Sequence, residues 1–251
     1  MDDIGRGPAR PEPIEIDRLL SRHAPPAGRA QLGERAISAL LEKGSTEVDA
    51  TVIVGDLRLS GFVLKEALKP SLFAKFIIGF TEAMRSLTNE NEGWFDKFTG
   101  DGFISFWIHE PSQPRELTRI PEFCQAILPA SEALVANLRG NSRNFPTGVG
   151  LSLGADSGPC ELVRVGDSLT LIGAPIVGAT RMVARAAANR MVANILFGEA
   201  LDRERDRLEE RGIRIQRKNV RTKEYPGGQE AFELLFPVRP RSAAGPAPST
   251  R

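Results

Sequence analysis

Of the chain's 251 residues 41% are hydrophobic, enough for one sizeable core, while 33 Lys and Arg against 32 Asp and Glu leave a formal net charge of +1. That balance gives no case for a nucleic-acid or anionic-membrane binding surface. No apolar run approaches the length of a membrane span, and the N-terminus is acidic and Pro-rich rather than basic then apolar, so a cytoplasmic location is expected.

Residues 1–30 form a leader rich in Pro, Gly and Arg that is expected to lack a fixed fold. A folded domain is expected over 31–238, opening with a short amphipathic helix from Glu34 to Leu41. The β-branched run from Ala50 to Gly55 predicts a buried strand, followed by helical segments from Phe62 to Leu87 interrupted near Pro70. A hairpin from Phe95 to Ile108 comes next, then a helix from Ile120 to Leu138 with a kink at Pro129. Strands near Gly148–Leu153, Glu161–Val165 and Ser168–Ile172 lead to a helix opening at Pro175, a favoured first-turn position for proline. Strand Val192–Phe197, a charged helix to Glu210, and strands near Ile213–Val220 and Ala231–Phe236 complete the domain. Residues 239–251 are Pro/Ala/Ser-rich and expected to be disordered. This alternation predicts an α/β sheet with helices packed on one side, rather than a sandwich or a bundle.

Cys124 and Cys160 have neither the number nor the spacing of a disulfide framework or a zinc site. The two histidines are His23, in the leader, and His109, at the end of an apolar run, which argues against a histidine triad or metal site. The arginines between Arg203 and Arg214 alternate with Asp and Glu, as on a solvated helix face.

Chemistry concentrates in Trp94 to Phe106, where Lys97 precedes a Gly-Asp-Gly turn centred on Asp101, between two apolar, strand-like runs. Alone, that turn is a hairpin signal, because Asp-Gly tolerates the positive φ of a tight turn. Asp56 gives it further meaning, closing the Ala50–Gly55 strand where a carboxylate faces a cleft. Separately, Asp101 reads as a turn residue and Asp56 as a cap or surface acid. On adjacent strands the pair reads as a site for hard divalent cations, Mg²⁺ or Mn²⁺, which take oxygen ligands.

This combination resembles the class III nucleotidyl cyclase catalytic domain, whose first metal aspartate ends a strand and whose second lies in a Lys-x-x-Gly-Asp hairpin. Thr147-Gly-Val-Gly-Leu-Ser-Leu-Gly resembles that family's central strand. Leu169-Thr-Leu-Ile-Gly-Ala-Pro-Ile-Val-Gly-Ala-Thr-Arg181 is similar to its strand–glycine–helix segment ending in arginine. The likeness runs from Glu47 to Phe236. It implies a ferredoxin-like α+β domain with a mixed, mostly antiparallel sheet and helices on one side. It also implies two divalent ions, Mn²⁺ or Mg²⁺, in each of two equivalent sites at a homodimer interface.

The resemblance further implies roles. Asp56 and Asp101 would hold the metals, with the Leu57 carbonyl completing one coordination sphere. Amides of Ser60, Gly61 and Phe62 at a helix start would bind phosphate. The family pattern Asp-Ile-x-Gly-Phe is here Asp56-Leu-Arg-Leu-Ser-Gly-Phe62, a departure in that loop. Arg181 would stabilise charge on the α-phosphoryl group, with a solvated helix arginine as its bland counterpart. Asn219-Val-Arg-Thr-Lys223 resembles a basic strand contacting the terminal phosphates, through Arg221 or Lys223, and reads equally as a basic edge strand.

Lys97 and Thr170 stand where adenylate cyclases carry a base-reading Lys and Asp, and Val177 where an Asn usually stands. As a stand-alone catalytic domain with these motifs, the chain looks most like the pyrimidine cyclases of bacterial Pycsar antiphage systems. That likeness implies cyclic UMP, in preference to cyclic CMP, made for a separate effector that responds to it. Two other readings stay open: an adenylate cyclase making cyclic AMP, and a catalytically silent cyclase fold acting as a dimerisation or nucleotide-sensing module.

Overall fold

A computed structural model describes residues 28–67, 69–110 and 116–237, with the isolated positions 20, 24, 25 and 114. The tail expected at 239–251 lies outside these residues, as does most of the leader expected at 1–30, but Leu20 is buried in a core with Ala24 packed against it, and 28–30 are helical and belong to the first element. Helix α1, Gly28–Lys43, is two helical pieces meeting at Gly33, and the expected start at Glu34 is the start of the second. Strand β1 spans Ser45–Arg58, beyond the expected run at both ends. Helix α2 (Ser60–Glu66) and helix α3 (Pro70–Glu90) follow, with Pro70 in the first turn of α3, where its missing N–H costs nothing. The hairpin is β2, Trp94–Phe98, and β3, Gly102–Ile108. Helix α4, Glu116–Arg139, holds Pro121 and Pro129 within one element.

Then come β4 (Gly150–Val165), β5 (Ser168–Ile172), α5 (Ala174–Val183, with Pro175 in its first turn), β6 (Arg190–Asn194), α6 (Ile195–Arg203), α7 (Arg205–Glu210), β7 (Arg214–Val220) and β8 (Gln229–Leu235). Two expectations change here. The strands expected at 148–153 and 161–165 are one strand, β4, because Gly154, Gly158 and Pro159 lie inside a ladder with β1 that runs from Ser45↔Val163 to Arg58↔Gly150. The strand expected to reach Phe197 ends at Asn194, whose side chain accepts the Ile195 N–H and starts α6.

The sheet order is β2-β3-β1-β4-β6-β8-β7, with β5 paired to β4 off this path. Every pairing is antiparallel except β4 with β6. This is the expected fold class, and β1 shows how it is covered. Ile53 and Leu57 enter the larger core with Phe80, Phe103, Phe123 and Phe232, beneath α3, α4 and α6. Val48, Ala50, Val52 and Val54 enter a second core on the opposite face, beneath α1 and α5. The expected one-sided layer is therefore the larger of two, and α1 and α5 add a smaller one. Asp56 shares the parity of Val52 and Val54, so it emerges on the α5 face at the end of the central strand.

Candidate active site

Local sequence brings the two carboxylates together. Antiparallel pairing of β1 with β3 sets Asp56 opposite Gly102, the residue after Asp101. Within the turn it is Gly100, at φ 94°, that takes the left-handed conformation, so the Asp-Gly step needs no positive φ. Thr99 N–H donates to Gly102 O at 2.9 Å to close the turn, and Leu57 N–H donates to Asp101 O at 3.1 Å. In an antiparallel ladder a residue's N–H and C=O face the same neighbour, so the Leu57 carbonyl also lies on the hairpin side. The buried Ser152 hydroxyl donates to the Asp56 carbonyl at 3.0 Å, and the Ser60 hydroxyl donates to the Asp101 carboxylate.

Electrostatics at this end of the sheet favour a cation. The Asp56 carboxyl is raised above its ordinary value, first by burial and then by the neighbouring Asp101 charge, with Arg58 opposing. Among the described residues no group of three or more His, Cys, Asp and Glu side chains converges. Two carboxylates and a carbonyl therefore suit an ion that keeps open positions for water and phosphate oxygens, the habit of Mg²⁺ and Mn²⁺, rather than a protein-only cage.

The other sequence candidates fall into separate groups. Lys97 Nζ donates to Thr170 Oγ1 at 2.9 Å, joining β2 to β5. Arg181, in the last turn of α5, forms an ion pair with Glu224 at 2.8 Å. Arg221 and Lys223 are exposed beside that pair. They follow the end of β7 at Val220 and lie in the β7–β8 connection, not on the basic strand that was expected. Ser60, Gly61 and Phe62 are the first three residues of α2. The Phe62 N–H donates to Leu59 O at 3.0 Å and is not free for phosphate. Val177 is 49% exposed on α5.

One expected residue, Ser60, takes a role the sequence did not suggest, and two residues not expected, Ser152 and Glu224, also shape the site. Ser60 serves Asp101 through its hydroxyl, Ser152 braces the Asp56 backbone, and Glu224 occupies Arg181. Ser152 carried a signal, as the lone hydroxyl in the run Gly150-Leu-Ser-Leu-Gly154. Glu224 carried none, since only the fold places that turn against α5.

No protein-family profile matches the chain, and a search of curated proteins finds no match. Among solved structures, the adenylyl cyclase CyaB from P. aeruginosa is similar over 78% of this chain and 97% of its own, at 18% identity and a TM-score of 0.63. The guanylyl cyclase Cya2 is similar over 79% and 98%, at 17% identity and the same TM-score of 0.63. The guanylate cyclase domain of RhGC from Catenaria anguillulae, solved in complex with GTP, is similar over 76% and 98%, at 14% identity and a TM-score of 0.58. At such identities the likeness concerns architecture, and on that ground the chain has the fold of the class III adenylyl and guanylyl cyclase catalytic domains, with an aspartate pair at the end of its central strand.

Proposed function

We propose that the chain is a nucleotidyl cyclase that converts a pyrimidine nucleoside triphosphate, UTP in preference to CTP, to the 3′,5′-cyclic nucleotide and pyrophosphate. The observation that carries this reading is the meeting of Asp56 and Asp101 at the end of β1, tied through Leu57 and Ser60, on a cyclase fold. In the reaction the 3′-oxygen forms a bond to the α-phosphorus as the bond to the β-phosphate oxygen breaks, and the hydroxyl proton is lost. Asp56, Asp101 and the Leu57 carbonyl would hold two divalent cations, Mn²⁺ or Mg²⁺. Such ions, when bound, acidify the attacking hydroxyl and neutralise the triphosphate. Ser60 orients Asp101, and the Ser60 and Gly61 amides face phosphate. Lys97 and Thr170 read the base. Arg181 offers its planar fork to the α-phosphoryl oxygens, and Arg221 or Lys223 meets the terminal phosphates.

Among the described residues no hydrogen bond or ion pair joins the aspartate pair, the Lys97–Thr170 pair and Arg181 to one another. A homodimer with sites at its interface brings the groups of two copies onto one substrate. Exposed apolar side chains support that arrangement, since Leu59, Phe62, Ile172, Val177 and Tyr225 are exposed and each is within four positions in sequence of a candidate site residue. The pyrimidine preference and a role in antiphage defence, with a separate effector reading the product, rest on the motif likeness described above. Retention of Lys97 favours adenylate cyclase as the second reading.

The test is incubation of the purified protein with ATP, GTP, UTP and CTP plus Mn²⁺, with products identified by mass spectrometry and Asp56→Asn and Asp101→Asn as controls. Cyclic UMP or cyclic CMP that both controls lose is the expected result. Cyclic AMP as the main product moves the chain to the purine class, and no cyclic product at all favours the silent module.

A further inference from the structure

We propose that Asp96 is a specificity-positioning residue, holding the Lys97 ammonium against Thr170 so that the pair presents a fixed donor to the substrate base. The inference rests on the reading of Lys97 and Thr170 as base-contacting groups. Its structural basis is a break in the β2–β3 register, where Phe95 pairs with Ser105 and Lys97 with Ile104, leaving Asp96 as an extra residue. In a regular strand neighbouring side chains point to opposite faces, whereas a bulge re-aims them. Here the bulge lets consecutive residues meet, and Lys97 Nζ lies 3.4 Å from Asp96 Oδ2. The same nitrogen donates to Thr170 Oγ1 at 2.9 Å.

The two partners differ in what surrounds them. Asp96's side chain is 1% exposed and Lys97's is 49% exposed. A flexible, half-exposed lysine gains little from another surface charge, but a carboxylate screened from water attracts it more strongly. An ammonium has three donors. One is donated to Thr170, while Asp96 Oδ2 makes an ion-pair contact rather than a hydrogen bond, so the headgroup is placed by two protein groups on different strands. A substrate base meeting the donors left on a headgroup held in this way is discriminated by where its acceptor lies, which a freely moving ammonium does not do.

The experiment has two readouts. In steady-state kinetics on each of the four triphosphates, Asp96→Asn is expected to raise KM for the preferred substrate about tenfold, as for loss of a contact to a charged group. It is expected to narrow the base preference while kcat changes by less than about threefold. In a Lys97→Gln background the Asp96→Asn effect should vanish, because it acts through the ammonium. The second readout needs no turnover: acylation of Lys97 by an N-hydroxysuccinimide acetate, followed by peptide mass spectrometry. Asp96→Asn should speed labelling several-fold, and Thr170→Val, with the Asp96 contact kept, should leave it within about twofold of the parent chain.

A uniform fall in kcat with base preference intact, or persistence of the Asp96→Asn effect without Lys97, overturns the proposal in favour of a structural role. Fast labelling in Thr170→Val overturns it by making Thr170 the holder, and that arm stands even if the Asp96 variant does not fold. Absence of cyclase activity in the parent chain counts against the proposed function, while the labelling result still decides whether Asp96 holds Lys97.

Discussion

The Leu57 amide donates to the Asp101 carbonyl at 3.1 Å, so the strand that ends in one carboxylate and the turn that carries the other are hydrogen-bonded where they meet. Backbone contacts thus hold two acidic side chains near each other, at a cost relieved by a cation. Mn²⁺ at about one hundred times its dissociation constant should stabilise the protein by about 2.7 kcal/mol, roughly 5–10 °C in melting temperature for a domain of this size. Asp56→Asn should melt higher than the parent chain without metal and lose most of the Mn²⁺ response. Calorimetry with and without Mn²⁺ checks this, and an unchanged Mn²⁺ shift in the variant would place the ion elsewhere.

The pH dependence follows from the same pair. Asp56's folded value is raised, by burial first and by Asp101 second. Between the ordinary carboxylate value and the raised one, the native state binds more protons than the unfolded chain, so stability falls as pH rises. The contribution is fully present below the ordinary value and lost as pH climbs through the folded one. Without metal, the stability advantage of Asp56→Asn over the parent chain should therefore grow as pH rises from about 4 toward neutrality. Denaturant titrations at several pH values measure that gap; a gap that shrinks with pH would refute the assignment.

Arg181 and Glu224 form an ion pair whose side chains are 36% and 45% exposed. Such pairs contribute about 0–1 kcal/mol, so Glu224→Gln should leave the melting temperature nearly unchanged. Thr222 is buried and its hydroxyl accepts the Tyr225 N–H at 3.2 Å, which keeps the turn in shape without the ion pair. Because the guanidinium would otherwise be free to meet a phosphoryl group, we expect kcat/KM to rise a few-fold at low salt and the difference to shrink as salt screens the pair. Kinetics at two ionic strengths decide it. A large loss of activity instead would make Glu224 a group that holds Arg181 in its working orientation.

What was legible in the sequence was local. Val52, Ile53 and Val54 announce a buried strand, Gly100 announces a turn, and the carboxylates beside them need only the β1–β3 pairing to meet. What escaped depends on residues distant in the chain. Ser60 lies 41 positions from Asp101, and its hydroxyl contact is a product of how α2 leaves β1. The bulge at Asp96 is visible only once Phe95 and Lys97 have partners on β3. Gly158 and Pro159 read as breakers because a sequence does not show that β1 lies alongside to hold them extended. Helix α5 was legible as a helix, but not as a cover for the second face, since Ala179 and Val183 are as compatible with the larger core as with the smaller.

Leu59 caps α2 with φ 63° and ψ 20°, a left-handed conformation held by a residue with a side chain. That costs about 1–2 kcal/mol, and glycine would remove it. Glycine also frees the unfolded chain by about 0.4–1 kcal/mol, so the two effects nearly cancel. Leu59→Gly should thus change stability by less than about 1 kcal/mol, whereas Leu59→Val, β-branched in the same conformation, should destabilise by more. Chemical denaturation of the two variants tests the ordering, and equal costs would mean that the Leu59 side chain, not its backbone, governs this corner.

Gly178 and Gly154 let α5 lie directly on β4. A methyl group at Gly178 would overlap the Asp156 carboxylate, and one at Gly154 would overlap the backbone of Ala179 and Val183. Asp156 has little freedom to yield, because it is buried and its Oδ1 accepts from Asn194 Nδ2 at 3.0 Å and from Ser157 N–H at 2.8 Å. Gly178→Ala must therefore push α5 away from the sheet or break the Asn194 contact. Overpacking of this kind costs about 1–3 kcal/mol, while alanine's helix propensity returns about 1 kcal/mol, so the net loss should be modest. Activity should suffer more than stability, since Arg181 is three residues along the same helix and small misplacements of a reacting group cost about a hundredfold. Parallel measurement of melting temperature and turnover separates the two, and a variant that loses stability but keeps full turnover would show that Arg181 does not depend on the seating of α5.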